Sequence, residues 1–142
     1  MAKRGSRLEW NGAKVLARAR RAQITGVNRT LSQTVVQAKN NHAWRNQTGI
    51  LEGSIKIIQF ARVAGRGVRG TWGSADVVYA LIHELGGTIR PKSAARLAFQ
   101  VGGEFRSAAS VTIPPRPYLR PAADAIYPSL AENIRAAYRE GA

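Results

Sequence analysis

The sequence predicts an α+β fold: a long N-terminal helix, an antiparallel sheet with hairpins, a short middle helix and a C-terminal helix packed on one face. Three observations predict it. Residues 8–41 lack proline and repeat apolar residues at helical spacing. Residues 54–72 carry strand-like alternation around a Gly-rich turn. The run Ile113-Pro114-Pro115-Arg116-Pro117-Tyr118-Leu119-Arg120-Pro121 is too stiff for a helix or a central strand, and it feeds a final helical pattern.

Residues 1–7 read as a flexible basic arm, and residues 8–142 as a single α+β domain. In the first helix, Leu16, Ala19, Val27, Leu31, Val35 and Ala38 recur in helical steps and predict the buried stripe. Gly26 costs about 1 kcal/mol against alanine, so the segment is one long helix or two joined there. The opposite face holds Lys14, Arg18, Arg21, Arg29 and Lys39. It is either a solvated face or a contact for an anion. Trp10, His42 and Trp44 at the helix ends read as packing residues. A break at 40–47 precedes Thr48, which is placed to cap a short helix through Glu52.

Ser54–Val63 predicts a strand, Gly65-Arg66-Gly67 a turn and Val68–Trp72 the return strand. Ser74 or Asp76 is placed to cap a helix over Val77–Leu85. That helix turns Tyr79, Ile82 and Leu85, or Val78, Leu81 and Leu85, to the sheet, and Gly86-Gly87 stops it. Thr88–Arg90 is extended, Pro91–Ala94 a turn, Arg96–Val101 a strand and Gly102-Gly103 a turn. Phe105–Ser110 has a weak pattern, and Val111–Ile113 is a strand. The proline run is a strap leading to a helix that starts near Tyr118 or Pro121, with Tyr118 and Leu119 as its anchors. Pro114-x-x-Pro117 beside Arg116 also matches a polyproline ligand, a pattern that inside a domain is more simply a strap. The last helix runs from Ala122 to about Arg139, and Pro128 kinks it or opens its first turn.

The net charge of +14 on 142 residues favours polyanions or acidic protein surfaces as neighbours. It is uneven: residues 1–45 hold ten Lys/Arg and one acid, Glu9. Absence of cysteine excludes disulfides and thiolate metal sites. The basic first residues are followed by no apolar segment, so neither a secretory signal nor a membrane span is expected.

Patterns that suggest chemistry fail on inspection. His83-Glu84 opens like H-E-x-x-H, but the fifth position is Gly87. Gly65-x-Gly67-x-x-Gly70 spells a dinucleotide fingerprint without the strand-then-helix setting that such a loop needs. The eight acids are scattered, and no serine sits in G-x-S-x-G. The expectation is no enzyme, no catalytic residues, no metal, no cofactor and no small-molecule substrate.

Three segments carry a resemblance. They are Thr48–Ile55 (TG-x-L-x-x-SI), then Tyr79, Ala80, His83, Glu84, Gly86 and Gly87, then Pro115, Arg116, Pro117, Leu119, Arg120, Pro121 and Ala122. Their ordered set, spanning about half the chain, resembles the small tail-completion and minor tail proteins of long-tailed bacteriophages. That resemblance implies an α+β structural protein of the virion tail or neck, assembled in the host cytoplasm. It would complete the tail end and join it to the head connector, as a homo-oligomeric, hexameric ring against neighbouring neck and tail proteins. DNA in the lumen is a further possible contact. The segments Gly65–Gly70 and Pro91–Gly103 are expected to be partner-binding loops. The interface candidates are Arg66, Arg69, Arg90, Lys92, Arg96, Arg116, Tyr118 and Arg120, and the basic helix face is Lys14, Arg18, Arg21 and Arg29. The alternative is a basic nucleic-acid-binding module, whose helix tracks phosphates.

Overall fold

The computed structural model describes residues 7–45 and 48–141. Helix α1 (Gly12–Asn40) runs without a break. Two short elements follow: helix α2 (Ile50–Ser54) and the hairpin β1 (Ile55–Ala64)–β2 (Gly67–Ser74). Helix α3 (Ala80–Leu85) leads into β3 (Gly87–Ile89), β4 (Leu97–Val101), β5 (Glu104–Ala108) and β6 (Val111–Ile113). The chain closes with α4 (Leu119–Ile126), a 3-10 turn over Tyr127–Ser129, and α5 (Leu130–Arg139). The fold is α+β. In place of one sheet, the strands form three antiparallel two-stranded ribbons, β1–β2, β3–β6 and β4–β5. The weak pattern at Phe105–Ser110 hides a true strand, because β4 supplies its partner across the Gly102-Gly103 turn. The expected basic arm lies outside the described residues except for Arg7.

The buried stripe of α1 differs from the apolar one. Ala22, Gly26, Thr30, Leu31, Thr34 and Ala38 are buried, whereas Leu16 is 72% exposed. Small residues every fourth position open a groove that a second helix fills. At Gly26 an added Cβ would lie 2.7 Å from the Ile134 Cα, so glycine is there to admit α5. The Thr30 and Thr34 hydroxyls, although buried, donate to the carbonyls of Gly26 (2.9 Å) and Thr30 (2.6 Å). Gly26 is thus a packing position and not the joint between two helices.

Three side chains lock the other elements to α1. Asn28 Oδ1 accepts from the Ala61 N–H at 2.8 Å, beside the irregular pairing of β1 around Gln59. Asn133 donates to Thr30 Oγ1 (2.9 Å) and Gln33 Oε1 (2.8 Å). Arg18 donates to the Tyr138 carbonyl (3.1 and 2.6 Å) and lies 4.5 Å above the Tyr138 ring. It thereby satisfies a carbonyl at the C-terminal end of α5, where a cation is favoured.

The core gathers Ala38, Leu51, Ile55, Ala80, Tyr118 and Ala122, with Trp44, Trp72 and Val77 packed against it. Trp10, expected to pack, is 82% exposed. Helix α3 begins at Ala80, three residues later than predicted, and neither Ser74 nor Asp76 caps it. Asp76 has a positive φ of 62 and ion-pairs with Lys56 (3.5 Å), and the Ser74 hydroxyl bonds Tyr118 (2.6 Å). Val78, Leu81 and Leu85 are exposed, and Ala80 is the residue α3 buries. Thr48 gives α2 a single long contact, Ile50 N–H to Oγ1 at 3.4 Å.

Candidate functional site: a motif-lined pocket and projecting surfaces

His83-Glu84 and the proline strap prove to be two halves of one joint. The Glu84 carboxylate accepts from the backbone N–H groups of Tyr118 (2.8 Å), Leu119 (3.0 Å) and Arg120 (2.9 Å). These are donors that the N-terminus of α4 leaves unpaired, and the negative charge meets the positive end of the helix. The His83 carbonyl accepts from the Arg116 N–H at 2.8 Å. Gly86 permits this approach. Its φ is 69, and an added Cβ would lie 2.7 Å from the Pro115 nitrogen. The stiff strap delivers α4 with its N–H groups aimed at one carboxylate.

The joint forms one side of a pocket of about 450 Å³ lined by Trp44, Arg45, Thr48, Gly49, Leu51, Tyr79, His83 and Arg116. All three segments that carried the resemblance meet here. Trp44 stacks on His42 (3.9 Å, 9° between planes) and meets the Tyr118 ring edge-on at 4.6 Å. Tyr79 meets the His83 ring edge-on at 5.9 Å. The His83 Nδ1 is buried, with no hydrogen-bond partner among the described residues. Arg45 and Arg116 are exposed, and neither forms an ion pair among the described residues.

The predicted interface residues divide. Tyr118 is fully buried, so it belongs to the core and not to an interface. Its burial holds the phenol pKa above the usual value of 10.0, against the Ser74 hydrogen bond, which lowers it. Arg120 pairs with Asp124 (3.3 Å) on α4. Arg96 is tied to Ser107 across the β4–β5 ribbon (3.2 Å to both Oγ and the carbonyl). Arg66, Arg69, Arg90 and Lys92 are exposed. Gly67–Gly70 lies in β2, whereas in Pro91–Gly103 only Leu97–Val101 is strand and the rest is loop. In the basic helix face, Lys14 and Arg21 are exposed, but Arg18 and Arg29 bind α5. Arg29 forms a two-pronged ion pair with Glu140. Its hydrogen bond holds the Glu140 carboxyl below the usual carboxylate value.

Sequence reasoning overlooked Arg20 and Arg62. Arg20 donates to the carbonyls of Arg66 (3.3 Å) and Gly67 (3.1 Å), which fixes the hairpin tip against α1. Arg62 sits opposite Arg69 in the register of β1 and β2, a like-charge pair that costs stability unless an anion covers it. Its cross-strand partner depends on the bulges in β1, which no alternation in the sequence reveals.

Large apolar side chains project at several places, among them Leu8, Trp10 and Leu16 near the start of α1, Ile58 and Phe60 on the outer face of β1, Val78, Leu81 and Leu85 at α3, and Val101 and Phe105 on the β4–β5 ribbon. The accessible surface is 10638 Å² for 15.4 kDa. A compact monomer of that mass exposes about 7,200 Å². Among the described residues no helix is long and apolar enough to cross a membrane, and no group of three potential metal ligands occurs. No family model, no curated protein and no solved structure matched the chain.

Proposed function

We propose that this chain is a structural subunit of a bacteriophage tail or neck, acting in virion assembly by binding and not by catalysis. It completes the tail end and joins it to the head connector within a homo-oligomeric, hexameric ring. The observation that carries the proposal is the surface excess. About half as much surface again as a compact monomer needs, with Phe105, Trp10 and Phe60 projecting from it, suits a chain that is covered by neighbours. The order of the three motif segments supplies the particular assembly. Deleting the gene from the phage that carries it tests the proposal. Filled heads beside full-length, unjoined tails are the expected outcome, and normal joined virions overturn it.

One observation favours a second reading, a nucleic-acid-binding module. Arg62, Arg66 and Arg69 lie together on the β1–β2 hairpin, and none has an ion-pair partner among the described residues. A salt titration on duplex DNA separates the two. Tight binding that weakens steeply with salt, and is lost when these three become glutamine, supports the module.

A further inference from the structure

We propose that the pocket between α2, α3 and the proline strap binds a carboxylate presented by a polypeptide segment of a neighbouring chain. Two guanidiniums, Arg45 and Arg116, line a single recess, and among the described residues no carboxylate pairs with either. The acids of α2 and α3 are engaged elsewhere. Glu84 is committed to three N–H groups of α4, and Glu52 lies 3.5 Å from His42 Nε2. Among the described residues, no carboxylate lines the recess or pairs with either guanidinium. Arginine pairs with carboxylates in a planar, two-pronged geometry that a point charge does not match.

The walls select the kind of anion. Trp44 is fixed between His42 and Tyr118, Tyr79 stands against His83, and Leu51 adds an aliphatic surface. Fixed aromatic and aliphatic walls suit the methylene stem of a glutamate and an apolar neighbour in its chain. A volume of about 450 Å³ holds a few side chains and not a duplex. Duplex phosphates are hydrated and convex, and they suit the open β1–β2 hairpin better. Arg116 is positioned in the recess by its own N–H, which is anchored on the His83 carbonyl.

The identity of the neighbour rests on the assembly reading, but the test does not. The full-length, isotope-labelled protein is titrated with acetyl-Leu-Glu-amide, acetyl-Leu-Gln-amide and inorganic phosphate while its NMR spectrum is followed. The glutamate peptide is expected to give saturable shifts at the Trp44 indole, His83 and Arg116. R116Q and R45Q are each expected to weaken that binding about tenfold, the scale of one charge-assisted hydrogen bond, without moving the thermal midpoint. Four results overturn the proposal: no saturable shift, equal binding of the glutamine peptide, tighter binding of phosphate, or unchanged binding in both variants. Failure here leaves the gene-deletion result standing, so the two proposals fall separately.

Discussion

Glu84 joins three backbone N–H groups that no residue near them in sequence serves, so its removal strips the start of α4 of its acceptor. Glu84→Ala is expected to cost about 2 kcal/mol, which lowers the melting midpoint by about 4–8 °C. Glu84→Gln, which keeps an acceptor oxygen, is expected to cost less, and thermal unfolding followed by circular dichroism ranks the three. Tyr118→Phe removes the 2.6 Å bond to Ser74 at a cost of about 1 kcal/mol at neutral pH. The raised Tyr118 pKa adds a pH signature. The unfolded chain ionises near 10.0 and the folded one higher, so this group's contribution is intact below pH 10.0 and lost above it. Urea unfolding at neutral pH and above pH 10.0 is expected to show the gap between wild type and Tyr118→Phe closing in alkali. Sequence reasoning singled out His83-Glu84 and the strap, but as separate features. Capping rules look at adjacent residues, and this cap reaches across 34 to 36 positions.

Between elements, packing of α5 on α1 is set by small residues. Gly26→Ala gains about 1 kcal/mol in helix propensity, but its methyl collides with the Ile134 backbone at 2.7 Å. Backbone cannot step aside as a side chain does, so a net loss of about 1–3 kcal/mol is expected in chemical denaturation. Gly53→Ala in α2, with nothing within 4 Å of the new methyl, is the control and is expected to gain up to about 1 kcal/mol. The long helix, the first hairpin and the last helix were all legible from periodicity, because each period reports one buried face. The register of α1 was not. An apolar count passes over Gly26, Thr30 and Thr34, which are buried because they are small and because the threonines satisfy their hydroxyls on their own helix. The start of α3 was misplaced since Ser74 and Asp76 turned to Tyr118 and Lys56.

At the scale of the whole molecule, the β4–β5 ribbon and the N-terminal end of α1 project from a small core. Strands β4 and β5 contact chiefly each other. Phe105, 85% exposed, therefore adds little to the fold. Phe105→Asp is expected to move stability by no more than about 0.5 kcal/mol and, on the assembly reading proposed above, to abolish incorporation into particles, as read by thermal midpoint and by composition of purified virions. The candidate pocket was legible only as its parts. Arg116, His83, Trp44 and Tyr79 were each noticed as separate features, but they and Arg45 meet through a tertiary joining of three distant segments that no spacing in the chain encodes. The same ribbon has a bearing on how such a chain can diverge. Little else in the molecule leans on it, so its length, tip and charge are free to drift or to be transplanted between relatives. If the proposed assembly role holds, partner choice can be rewritten in a finger of some dozen residues while the joint built on Glu84 keeps the body folding as before.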